Sequence, residues 1–182
     1  MKSPVWKRWF VVTIGLAAAI HVAVVWLVPV VIMRVFMSRV AAQYGVNRVI
    51  TQPLPTDFSR TVVKPSPDLL YGVCVFDVSV GPVRLSITPP TTYWSLSLFD
   101  TNTDNFFTFN ANDLKVSTAD LILGSAGDSG DAAARFPSAR FVVTPHNKGV
   151  MLARLLVLDK TNMDEALAAQ KSIQCNAIKR GS

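Results

Sequence analysis

The hydrophobic pattern of this chain changes character once, near residue 34. Residues 9–33 are an unbroken apolar run, 25 positions without a formal charge and dominated by Val, Ala, Ile, Leu and Trp. As a helix rising about 1.5 Å per residue, this run exceeds the roughly 30 Å hydrocarbon core of a bilayer, so it predicts one membrane-spanning helix. Trp6, Trp9 and Trp26 fall toward its ends, where indole rings favour the interface, and the flanking cations can reach the headgroups. A cleavable signal peptide would have an apolar core of roughly 7 to 15 residues beside its cleavage site. Here the core is far longer, and Arg34 and Arg39 separate it from the small residues of Val40-Ala41-Ala42. The expectation is an uncleaved anchor contacting lipid through residues 9–33, preceded by a basic flank over residues 1–8. His21 is expected to bond a backbone carbonyl or a neighbouring helix, and Pro29 reads as a tolerated kink.

Beyond the anchor the period becomes two. A helical extension to about Tyr44 leads into residues 51–67, whose four prolines predict a linker or irregular lead-in. Residues 34–61 are thus expected as juxtamembrane helix and linker, and residues 62–182 as the folded domain. Val83, Leu85 and Ile87 alternate with Arg84, Ser86 and Thr88; Trp94, Leu96 and Leu98 alternate with Ser95 and Ser97. Turn-forming breaks at residues 80–82, 89–92 and 100–105 suggest a meander of about four antiparallel strands between Leu70 and Phe109. Residues 124–131, rich in Gly, Ser and Asp, predict an exposed loop. A second hairpin is expected to pair residues 141–144 with residues 150–159 around the turn 145–149. A closing helix is expected with Asn162 as cap and Glu165 three residues on. Six or seven strands and one late helix indicate a sandwich, jelly roll or small barrel.

Charge removes one class of function. The net charge is +6, but Lys2, Lys7, Arg8, Arg34 and Arg39 carry five cations among the first 39 residues, leaving 13 cations against 12 acids from Val40 on. A nearly neutral domain does not predict a nucleic-acid groove. The same cations lie on both sides of the helix, so charge alone does not orient it. A leader this short behaves as a signal anchor, which places the N-terminus in the cytoplasm and the domain in the periplasm of a bacterial inner membrane. Cys74 and Cys175 are too few for a metal site and are expected as buried thiols, with one disulfide as the alternative in an oxidising compartment.

The run Val63-Lys64-Pro65-Ser66-Pro67-Asp68-Leu69-Leu70-Tyr71 is followed by Asp77, Gly81-Pro82-Val83, Tyr93, Asp100-Thr101-Asn102 and Asn105-Phe106. This succession resembles the bacterial domain of unknown function numbered twelve fifty-four, over about residues 62–178. The resemblance implies a mainly β, jelly-roll-like antiparallel sandwich with one C-terminal helix and no established activity. Members often carry a second β-sandwich domain, so the resemblance also implies an envelope protein partner that supplies it.

Candidate chemistry is thin. The domain offers His146 alone, in a Pro-His-Asn-Lys-Gly turn expected to be an ordinary loop, so neither a catalytic triad nor a jelly-roll metal centre is predicted. No cofactor motif is present. The expected function is a binding or assembly module without catalytic residues. Its ligand-binding rim is placed at Asp68, Tyr71 and Tyr93, because a meander would bring a carboxylate and two phenols to one edge. The alternative is a hydrolase of glycan-type substrates that uses a pair from Asp68, Asp77 and Asp100 as acid and base.

Overall fold

The computed structural model describes residues 5–56, 58–59, 65–113 and 119–179, and all that follows concerns these. The start of the basic flank and part of the expected linker, including Val63 and Lys64, lie outside the described residues. A single helix, α1 (Val5–Tyr44), opens the described chain; its 40 residues extend about 60 Å. It ends where expected, at Gly45, whose φ of +85° suits the left-handed turn after a helix and whose N–H bonds the Ala41 carbonyl at 2.9 Å. Nine strands follow: β1 (Val49–Gln52), β2 (Leu69–Asp77), β3 (Val83–Ile87), β4 (Trp94–Phe99), β5 (Asn105–Asn110), β6 (Ala119–Gly124), β7 (Arg140–Val143), β8 (Lys148–Leu156) and β9 (Gln174–Ala177). Between β6 and β7 lies α2 (Ser129–Arg135), and between β8 and β9 lies α3 (Lys160–Ser172).

The strands form a five-stranded sheet in the order β1-β2-β8-β4-β5 and a four-stranded sheet in the order β7-β6-β3-β9. Their inner faces supply one hydrophobic core, with Leu70, Phe76, Leu96, Leu98, Met151 and Leu155 from the first sheet and Val83, Leu85, Ile87, Leu121 and Leu123 from the second. A disulfide between Cys74 on β2 and Cys175 on β9 bridges the sheets. The cysteines are therefore not the thiols expected from the sequence. Their separation of 101 residues carries no pairing signal, and only the facing of β2 and β9 brings them together.

Strands β2 to β5 lie within the span expected to hold four strands, but they do not pair as a meander. Only β4 and β5 form a tight hairpin; β2 pairs with β1 and β8, and β3 crosses to the other sheet beside β6 and β9. The expected four-strand meander is thus replaced by long-range pairings. The expected second hairpin does not form either, because β7 runs parallel to β6 in the four-stranded sheet while β8 lies between β2 and β4. The turn over residues 145–149 therefore joins two sheets.

Three local readings also change. Val49–Gln52, inside the expected linker region, is an edge strand paired antiparallel to β2. Residues 124–131 are not an open loop: a one-turn 3-10 helix leads into α2, and the buried Asp128 accepts from the Ser125 N–H at 2.9 Å and hydroxyl at 2.6 Å. The cap of α3 is Asp159, three residues earlier than expected, accepting from the Thr161 N–H at 2.7 Å, and Glu165 instead reaches across to Thr91. Nor does α3 end the fold, since β9 follows it and closes the four-stranded sheet.

α1 is two things in one helix. Its apolar side chains from Val5 through Val28 are exposed, whereas Met33 and Met37 are buried in a second cluster with Val75 and Val150, flanked by Phe36, Val40, Val73 and Phe99. Val75, Val150 and Phe99 are directly opposite one another on three adjacent strands, so they form one apolar row across the outer face of the five-stranded sheet. Arg34 and Arg39 stay exposed.

Candidate functional site

Asp68, Tyr71 and Tyr93 lie at one edge of the five-stranded sheet, though not through the expected meander. β2 and β4 both run antiparallel to β8, so they are parallel to each other with β8 between them, and both begin at the same edge. Tyr71 is opposite Arg154, and the Leu156 N–H bonds the Tyr93 carbonyl at 2.9 Å. The Tyr71 hydroxyl oxygen accepts from the Ser66 N–H at 3.0 Å, while Tyr93 is 51% exposed. Asp68 is exposed at the entry to β2, and its backbone carbonyl accepts from the Val157 N–H at 2.8 Å. The two tyrosines stand on strands two apart, about 10 Å across the sheet, so they share an edge without forming an enclosed pocket. Gln170 on α3 ties this edge together by donating to the carbonyls of Gln52 and Tyr71 at 2.8 and 2.9 Å.

The opposite rim holds chemistry that sequence reasoning passed over. His146 Nδ1 lies 2.8 Å from both carboxylate oxygens of Asp100, whose side chain is 7% exposed and also accepts from the Thr101 N–H. The Asp100 carboxylate fixes the ring and favours Nδ1 as the donor, leaving Nε2 on an outward-facing imidazole, the geometry of an oriented general base. Beside it Asp77 accepts from the Ser79 N–H at 2.9 Å and faces Lys148 Nζ at 3.3 Å. Burial works to raise the Asp77 pKa, but the Ser79 hydrogen bonds and the Lys148 ammonium together hold it below the ordinary carboxylate value. Asn47 locks the same corner by accepting from the Asp77 N–H and donating to its carbonyl. The His146–Asp100 pair spans 46 residues, and no local pattern in the sequence announces it.

These contacts account for the carboxylates singled out earlier. Asp68 lies at one rim, and Asp77 and Asp100 lie at the other, each already engaged by a cation or imidazole. Among the described residues no three His, Cys, Asp or Glu side chains gather as metal ligands. A surface depression is lined by Thr88, Pro89, Pro90, Glu165, Ala168, Ala169 and Ser172, where α3 meets the turn before β4; it is shallow and holds one titratable group.

A family model described as a protein of unknown function, DUF1254, matches residues 46–177. The chain belongs to the DUF1254 family. The match begins just past α1, and so takes β1 into the DUF1254 domain together with every later strand. The fold is similar to the VPA0106 protein from Vibrio parahaemolyticus, with a TM-score of 0.62 and 17% identity over 85% of this chain and 37% of that one. It is also similar to an uncharacterised protein from Burkholderia cenocepacia, with a TM-score of 0.50 and 14% identity over 79% of this chain and 38% of that one. The chain therefore spans little more than a third of each of these structures. No curated protein matches the sequence.

Proposed function

We propose that this DUF1254 chain is a single-pass, signal-anchored envelope module of the bacterial inner membrane, and that its periplasmic domain binds or assembles with a partner rather than catalysing a reaction. The observation that carries the reading is the division of α1. Residues 9–28 supply 20 consecutive exposed, uncharged positions, about 30 Å of helix, which matches the hydrocarbon thickness. Met33, Phe36, Met37 and Val40 pack on the sheet instead. Spanning and docking thus use different parts of one helix and need no linker between them.

The Cys74–Cys175 disulfide supports the periplasmic side, because such bonds persist in oxidising compartments. The core connectivity supports a jelly-roll-like reading of the sandwich, since early β2 and late β8 are neighbours with β4 on the far side of β8. The partner reading draws on the length of the similar structures, in which this domain is accompanied by further chain. An envelope protein carrying a second β-sandwich domain is the partner we propose.

A reporter fused after Ser182 tests the topology. Activity confined to a periplasmic reporter is expected, and activity confined to a cytoplasmic one would reverse the orientation. Capture from detergent-solubilised membranes tests the partner, and repeated recovery of no specific protein would count against it. The hydrolase alternative needs two available carboxylates in one cleft. The engagement of Asp77 by Lys148 and of Asp100 by His146 favours the binding module over it.

A further inference from the structure

The outer face of the five-stranded sheet has two halves. One is the apolar row beneath α1; the other, farther along the same strands, is polar and lies outside that row. Tyr71, Arg154, Ser95 and Asn110 are opposite one another on β2, β8, β4 and β5, and Ser97 and Thr108 form the next row with Leu152. The neighbouring positions Trp94, Leu96, Ala153 and Leu155 point into the core, so Ser95, Ser97 and Arg154 point outward.

Two features of this polar half are unusual. Ser95 and Ser97 are each only 3% exposed although they face away from the core, and the Ser95 hydroxyl is buried without a hydrogen-bond partner. Native structures leave few buried hydroxyls in that state, because desolvation without a bond is costly. Next to it stands a half-buried arginine without an acid. Arg84 has Asp120 at 2.7 Å and Arg135 has Asp131 at 3.1 Å, whereas Arg154 has no carboxylate partner among the described residues and reaches only the Ser97 hydroxyl at 3.5 Å.

We propose that this patch binds a phosphate group, with Arg154 as its charge partner and the Ser95 and Tyr71 hydroxyls as donors. The guanidinium fork matches phosphate oxygens in pairs. The Tyr71 oxygen already accepts from Ser66, which leaves its own O–H to donate, and Ser95 has an unused donor beside Arg154. The site lies on the face that α1 grips: Arg154 is four residues along β8 from Val150, about 13 Å away. That position suits the phosphate of a lipid headgroup as well as a free phosphate. The inference deepens the binding-module reading and rests on it for its purpose, but the reporter fusion decides topology independently of what the patch binds.

The test uses the full chain in lipid nanodiscs, as wild type, Arg154→Gln and Ser95→Ala. In phosphatidylcholine discs, inorganic phosphate is titrated by calorimetry; in discs doped with phosphatidylglycerol, the unfolding midpoint is measured. Saturable phosphate binding that falls about tenfold in Arg154→Gln identifies a site for free phosphate. A phosphatidylglycerol-dependent rise in midpoint that Arg154→Gln abolishes, without binding of inorganic phosphate, identifies the headgroup. In either case Ser95→Ala should weaken the ligand effect and yet raise the midpoint of the ligand-free protein, because it removes an unpaired buried hydroxyl. A hydroxyl with only a structural role cannot move the two in opposite directions. No phosphate binding together with an equal lipid effect in wild type and Arg154→Gln would overturn the proposal, as would phosphate binding unchanged in both variants.

Discussion

The two faces of the five-stranded sheet are built from the same strands and solve burial in opposite ways. The inner face packs Leu70, Phe76, Leu98 and Met151 against a second sheet and is stapled to it by Cys74–Cys175. The outer face has no second sheet. Its apolar row, Val75, Val150 and Phe99, is covered by Met33 and Met37 of a helix whose other half is exposed and apolar. The domain core is therefore built from the two sheets and the buried face of α3, whereas the cover of the outer face depends on α1.

The comparison orders the expected effects. The largest belongs to the inner face: Cys74→Ser with Cys175→Ser opens a loop of about a hundred residues and should cost about 4 kcal/mol, measured by chemical denaturation of the oxidised and double-variant proteins. Leu98→Ala, at a position with no exposure, should cost about 3 kcal/mol in the same assay. On the outer face, Met37→Ala should cost about 2 kcal/mol, since its cluster is smaller and edged by partly buried residues. An undetectable effect of Met37→Ala would mean that α1 merely touches the sheet and that the two faces are not comparable.

The smallest effect lies at the rim where the faces meet. The folded-state pKa of Asp77 is depressed, so its contribution to stability is present above the unfolded carboxylate value of about 3.9 and is lost as pH falls through the lower folded value. Asp77→Asn should therefore flatten the acid limb of the stability curve below about pH 4 and leave its slope near neutral pH unchanged. A titration of the unfolding midpoint for both proteins reads this directly.

How much of this was legible in the sequence follows the same division. The strands β3 and β4 and the long helix were visible because each is governed by local pattern: one buried face repeats every second residue, or twenty and more residues are uniformly apolar. The pairing was not visible, because β2 with β8 and β3 with β9 are chosen by packing across distant parts of the chain. β1 was hidden by the prolines that follow it, and α2 by a composition rich in Gly, Ser and Asp that usually favours turns. The rim of Asp68, Tyr71 and Tyr93 was placed at one edge by a meander that does not exist. The geometry agrees because two antiparallel steps across β8 have the same parity as two along a meander. Arg154 and Ser95 escaped notice as an ordinary outward-facing pair, since neither the missing acid nor the unpaired hydroxyl can be seen before the strands are aligned.

Gly149 marks a further point that only the structure explains. A Cβ at this position would overlap the Phe99 carbonyl oxygen and the Phe76 ring, so the close approach of β8 to both neighbours on the inner face requires glycine. Turn chemistry in Pro-His-Asn-Lys-Gly pointed to the loop but not to that contact.

The central claim is that one continuous helix is embedded in the bilayer over its first half and clamped to the outer sheet face over its second. Oxidative crosslinking in native membrane vesicles tests it most directly, using the full chain with Met37→Cys and Val150→Cys, and Leu27→Cys with Val150→Cys as the control. The account predicts a disulfide between the two introduced thiols of the Met37→Cys, Val150→Cys chain in the carbonate-resistant membrane fraction, and none in the control pair. A chain that stays in the membrane without forming that bond, or that forms it only after extraction from the membrane, would contradict it.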